Sequence, residues 1–237
     1  MTILAIDTSG PVCGVCVYEN STVRYEGSAV NKLTHSVNMM PMVEEALKRS
    51  GLSLGQIELF AAVMGPGSFT GVRIGISAVR ALAHAENKPC IGIDALGAMA
   101  QGVSLSSYLL CPIQDARAGQ VYGAVFTGDN GIVRRLSDDV PMKLEDFCLF
   151  AEKLASPGQR LLFLGDGLPV HRSQIESILG EKAAFAPANV CYLRASSAAM
   201  LAHAHAAEAG DCFSLKPLYL RPPQAERQRN LLELGHE

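Results

Sequence analysis

Twice in this chain an apolar strand runs into an aspartate and opens a meander, and that repetition constrains the fold more than any other feature. The first strand is "TILAIDT" at 2–8, ending in Asp7. A turn at 9–11 leads to alternating strands at 12–19 and 22–30. A helix is expected over 34–50, stopping at Gly51, then a buried strand over 57–65 and a helix over 70–86. Pro89 opens a short strand, and Asp94 is placed to cap the helix after it, which gives the order βββαβαβα. The second round begins with "SYLLCPIQDA" at 107–116, whose aspartate is Asp115. "QVYGAVFT" and "GIVRRL" read as its next two strands. Helices follow over 144–155, from the glycine turn at 165–167 to 179, and over 196–209. A duplicated α/β fold is implied, with lobes at 1–103 and 104–237 and a cleft between them.

The bulk composition excludes several classes. The net charge is −3 over 237 residues. A protein that grips nucleic acid alone carries a basic field, so a partner is expected to supply most of the charge for any such contact. No apolar run reaches the roughly 18 residues of a membrane span. The first ten residues carry no basic region or cleavage site, so a cytoplasmic protein is expected. Seven scattered cysteines, an odd number, read as reduced thiols.

Three motifs invite chemistry and can be weighed on spacing. "GPGSFTG" at 65–71 runs into a helix whose start could hold phosphate, with Arg73 and Arg80 near enough to help. It lacks the lysine of a P-loop and the spacing of a nucleophile elbow. The simpler reading is a strand–helix corner that needs glycines to pack. Cys13 and Cys16 lie three apart on a strand, so their sulfurs point to opposite faces and cannot meet one metal. His203 and His205 sit about 200° apart on a helix and share no ligand face. His35, in the first turn of its helix, is expected to contact a neighbour or the backbone. No metal is expected.

The two long helices of the first half each carry two apolar stripes. On 34–50 these are Ser36, Met40, Val43, Leu47 and His35, Met39, Met42, Ala46. On 70–86 they are Val72, Ile76, Val79, Ala83 and Ile74, Ala78, Leu82, Ala85. One stripe per helix suffices to pack on a sheet, so the second implies either a helix layer covered within this chain or a helix pair that meets another subunit's pair. Small residues such as Gly71 and Gly75 would permit close helix approach.

Segments from end to end resemble the TsaB family, also called YeaZ, of bacterial tRNA threonylcarbamoyladenosine biosynthesis proteins. They are "ILAIDTS" (3–9), "THSVNMMPMVEEAL" (34–47), "GPGSFTGVRIGISAVRALAHA" (65–85), "QDARAGQVYGAVF" (114–126), "GDG" (165–167) and "PLYLRPP" (217–223). The resemblance implies an actin-like, Hsp70-like ATPase fold of the ribonuclease H-like class, with two related lobes. It implies a non-catalytic subunit that binds the related transferase TsaD. That enzyme threonylcarbamoylates the adenosine beside the anticodon of tRNAs reading codons that begin with A. The ATPase TsaE would be the third protein, tRNA would be met only through the complex, and the chain alone would form a homodimer. The partner interface would comprise His35, Met39, Met42, Val43 and Ala46 with Val72, Gly75, Ile76, Val79 and Ala83. Arg73, Arg80 and Arg221 are candidate phosphate or tRNA contacts. TsaD holds its metal through a His-x3-His pair; here Ala95 and Met99 stand at those places, and no cofactor is expected. The relics of a nucleotide site would be 7–9, 115–119 and 165–167. Arg117 with its flanking alanines replaces the glycines that would expose backbone N–H groups to phosphate. That substitution argues against the rival reading, a small-molecule kinase using Asp7 or Asp115 as base. No Ser/His/Asp spacing supports a protease.

Overall fold

The computed structural model describes residues 1–30, 34–104, 107–129 and 131–221. The first half contains β1 (Thr2–Asp7), β2 (Cys13–Glu19), β3 (Thr22–Ala29), α1 (His35–Ser50), β4 (Leu59–Gly65), α2 (Phe69–Ala85), β5 (Cys90–Asp94) and α3 (Ala95–Gln101). Its sheet runs β3-β2-β1-β4-β5, with β1–β2–β3 antiparallel and β4 and β5 parallel to β1. The second half contains β6 (Tyr108–Asp115), β7 (Gln120–Gly123), β8 (Phe126–Asp129), β9 (Ile132–Arg135), β10 (Val140–Lys143), α4 (Leu144–Leu154), β11 (Arg160–Leu164), α5 (Leu168–Leu179), β12 (Ala183–Phe185), α6 (Ala188–Cys191) and α7 (Ala195–Ala204). Its main path is β10-β7-β6-β11-β12. With the β8–β9 hairpin set aside, each sheet therefore has the order 3-2-1-4-5, so the two halves repeat one topology.

Local chemistry explains the long elements. Gly51 ends α1 in the left-handed conformation (φ 72°), with Lys48 and Arg49 in the last turn complementing the helix dipole. Asp94 caps α3, its carboxylate accepting from the N–H groups of Leu96 (3.1 Å) and Gly97 (2.7 Å). Strand β1 is buried throughout because both faces are covered. Leu4 and Ile6 point to the core beneath α1 and α2, while Ile3 and Ala5 join a second core that continues into the other lobe. Cys13 and Cys16 fall into these two different cores, on opposite faces of the sheet.

Three expectations for the second half need correction. The strand expected over 120–127 is broken into β7 and β8 at Ala124–Val125, where Val125 N donates to Ser137 Oγ (2.9 Å) and Val125 O accepts from Leu136 N (2.8 Å). The third strand of the meander path is β10, paired antiparallel to β7, whereas "GIVRRL" forms a side hairpin with β8. Helix α7 ends at Ala204 and a short 3-10 turn follows at Ala206–Glu208, in place of one helix to 209.

Helix α7 also returns to the first sheet, where Ala195, Ala198, Ala199 and Ala202 join the core beside β1 and β2. Glu26 of β3 anchors its start, accepting from Ser196 N (2.9 Å) and pairing with Arg194. The chain then pairs Gly210 with Cys90 of β5, and Leu218 N donates to Met64 O at 2.7 Å.

Candidate protein-binding face and interlobe cleft

The glycine loop before α2 is a packing device. Ser68 N donates to Ser9 O (2.7 Å), and Ser68 Oγ accepts from Gly71 N to cap the helix. Thr8 Oγ1 donates to Gly71 O at 2.7 Å. A β-carbon at Gly71 would stand 2.1 Å from Thr8 O, and one at Gly75 would stand 2.5 Å from Thr8 Oγ1. Gly71 and Gly75 of α2 are therefore spent on the end of β1, inside this chain.

The same geometry sorts the apolar stripes. Met39, Val43 and Ala46 of α1 and Val72, Gly75, Ile76, Val79 and Ala83 of α2 are buried on the chain's own sheet. They face inward, toward this chain's own sheet. On α1 the inward line is 39, 43, 46 and 50, a mixture of the two stripes drawn from spacing. Met42 is half-buried. His35 is also half-buried, its Nε2 lying 2.9 Å from Gly10 O, a backbone contact. The outward apolar surface consists instead of Val37, Met40, Ile74, Ala78 and Leu82. Between the helices lies a groove of about 610 Å³ whose walls include Met40, Phe69, Ile74 and Ala78.

The three candidate arginines are already engaged. Arg73 donates through Nε to Tyr219 Oη (2.6 Å), and its guanidinium lies 3.8 Å over the Phe69 ring. Phe69 and Tyr219 stack at 4.9 Å. Arg80 lies over Phe213 and Arg221 over Tyr122. Tyr219 was not singled out from the sequence: 146 residues separate it from Arg73, and no periodic signal marks its segment.

A cavity of about 490 Å³ opens between the lobes. Its walls come from the turn after β1, the corner before α2, the β6–β7 turn, Asp166 and the segment Leu218–Arg221. Several of the backbone donors that would cradle a phosphate are turned to the chain itself. Ser9 N donates to Asp7 Oδ1, Arg117 N to Asp115 Oδ1, and Gln120 N to Arg117 O. Arg117 and Ala118 both adopt left-handed backbone (φ 67° and 52°), an arrangement that disfavours side-chain-bearing residues.

Charge at the cleft floor is negative. Burial pushes the Asp7 carboxyl up to about 6, against the bonds from Ser9 that favour its ionised form. Asp166 is likewise pushed up to about 6, chiefly by burial, with Asp115 and Asp7 adding to the rise. His171, buried on α5, holds Nε2 3.4 Å from Asp115 Oδ1 without hydrogen-bond geometry. Among the described residues no three His, Cys, Asp or Glu side chains cluster closely enough to hold a metal. Ala95 and Met99 are packed in the core.

A family model described as TsaD, tRNA N6-adenosine threonylcarbamoyltransferase, matches residues 29–228. The tRNA threonylcarbamoyladenosine biosynthesis protein TsaB of Bacillus subtilis is 34% identical over 95% of this chain and 96% of its own length. The protein of the same name from Escherichia coli is 42% identical over 56% of this chain and 58% of its own. Among solved structures, YeaZ from Pseudomonas aeruginosa superposes with a TM-score of 0.75 at 25% identity, over 92% of this chain and 99% of that one. A further structure, described as an uncharacterized protein with similarity to peptidase YeaZ from the same organism, gives 0.77 at 26% identity over 93% and 99%. The likeness spans both lobes and nearly the full length of these relatives, and this chain belongs to the TsaB (YeaZ) family, within the wider group that the TsaD model describes.

Proposed function

We propose that this chain is the accessory subunit of a tRNA threonylcarbamoyladenosine synthesis complex, acting in the cytoplasm by binding the transferase TsaD through the outward faces of α1 and α2. The observation that carries the reading is the groove between these helices, lined by apolar side chains on a face with no sheet of its own to cover. Apolar patches of this kind mark protein–protein contacts, and Met40 beside Ile74 offers an adaptable surface. The same face would pair two copies of the chain when TsaD is absent. TsaE is the expected ATPase partner, and tRNA would be reached through the assembled complex, in keeping with a net charge of −3. A non-catalytic role is supported by the cleft, where the N–H groups of Ser9 and Arg117 are bonded within the chain and the floor is anionic.

The test is light scattering after size-exclusion chromatography, on the chain alone and mixed with TsaD from the same source. Ile74→Glu and Ala78→Arg place charge on the outward face. Each should weaken the complex by about 2 kcal/mol, roughly thirtyfold, while leaving the melting curve in place. Val79→Glu, at a position with no exposure, should instead unfold the chain. A wild-type-strength complex from both outward variants would place the interface elsewhere.

A further inference from the structure

Three buried side-chain polar atoms lack a hydrogen-bond partner among the described residues: Gln114 Oε1, Asp166 Oδ1 and His171 Nε2. All three belong to the second-lobe side of the cleft. Gln114 and Asp166 line the cavity, and His171 backs Asp115, which also lines it. Gln114 is only 3% exposed. A buried acceptor without a donor carries an uncompensated desolvation penalty, so two of them beside one cavity imply a use for a donor. Asp7, Asp115 and Asp166 make the surroundings anionic, so the donor that fits carries positive charge. Direct metal coordination does not fit, because no three ligating side chains converge. An N–H donor does. The lining also carries positive charge: Arg117, whose side chain is 88% exposed and lies 3.6 Å from Asp115 Oδ2, and Arg221, which lies over the Tyr122 ring. The cavity volume lies within the range of roughly 300–1,000 Å³ typical of small-molecule sites.

We infer that the interlobe cleft binds a small zwitterion of the α-amino-acid type, with its ammonium group on Gln114 Oε1 and Asp166 Oδ1 and its carboxylate toward Arg117 and Arg221. A lining that carries both signs of charge favours a ligand with both charges over an amine or an acid alone. A polyphosphate would meet three carboxylates and few free backbone donors. This inference is independent of the helix-face reading, because none of its groups lies on the outward surface of α1 or α2.

The experiment is ligand-observed saturation-transfer NMR on the full chain, with glycine, L-alanine and L-serine as probes. Ethylamine, acetate and magnesium chloride serve as separate arms. Amino acids should bind at millimolar concentration, ethylamine about tenfold more weakly, and acetate not at all. Gln114→Leu and Asp166→Asn should each weaken amino-acid binding about tenfold with the melting temperature retained. Binding should also fall as the pH drops below about 6, where Asp166 takes up its proton. Absence of amino-acid binding overturns the inference. So does binding unchanged in both variants, or displacement of the amino acid by magnesium alone.

Discussion

Gly75→Ala tests the account of α2 most directly, because the atom in the way is known. The new methyl would stand 2.5 Å from Thr8 Oγ1, and its next neighbour, Thr8 Cβ, is 3.8 Å away. Overpacking of this kind costs about 1–3 kcal/mol. Pushing the hydroxyl aside also breaks its bond to Gly71 O, worth about 1 kcal/mol. Alanine returns about 1 kcal/mol through helix propensity. The net loss is about 2 kcal/mol, or about 4–8 °C in melting temperature for a chain of this size. Urea unfolding followed by far-UV circular dichroism reads it, which suits a protein without tryptophan. Thr8→Ala alone should cost about 1–2 kcal/mol through the lost hydrogen bond and methyl. In the double variant the clash is gone, so the two changes together should cost no more than Thr8→Ala by itself. Gly71→Ala meets Thr8 O, a main-chain atom at 2.1 Å, and Thr8→Ala should not rescue it. Additive effects for the Gly75 pair, or equal rescue at Gly71, would refute the packing argument.

Two further predictions concern charge. Asp7 is held at about 6 in the fold against 3.8 when exposed, so the folded state binds more protons between those values. Its ionisation penalty is absent below about pH 4, grows as pH rises to 6 and is complete above it. Asp7→Asn keeps an acceptor for Ser9 and should raise stability at pH 7 by about 2 kcal/mol, with the gain closing by pH 4; equal melting temperatures at pH 7 would contradict this. Burial pushes the Glu26 carboxyl up, but the bonds from Arg194 and Ser196 outweigh it and hold the group below its usual value. Its contribution is therefore present above the ordinary glutamate range and lost in acid. Glu26→Ala should cost about 1–2 kcal/mol at pH 7 by uncapping α7, and a chemical denaturation midpoint that does not move would remove α7's anchor from the account.

Much of the fold was legible in the residues because the signals are local. The alternation of β1 and β2, the apolar period of α1 and α2, the stop at Gly51 and the cap at Asp94 each depend on a few neighbouring residues. So did the duplication, since both meanders begin with a strand ending in aspartate. The mutual exclusion of Cys13 and Cys16 follows from the two-residue repeat of a strand. What spacing left open was which apolar stripe faces inward. Two stripes of similar hydrophobicity differ only in their rotation about the helix axis. That rotation is set by the sheet beneath, through Thr8, 63 residues before the glycine it bonds. The same contact explains Gly71 and Gly75, which by sequence alone suit a partner helix equally well. The engagement of Arg73 by Tyr219, the return of α7 to Glu26 across 170 residues, and the convergence of Gln114 and Asp166 on one cavity are also long-range. No window of sequence contains both partners of any of these pairs. Local pattern determined the elements and their repetition; chain closure in three dimensions decided which faces remain free and which polar atoms are left without a partner.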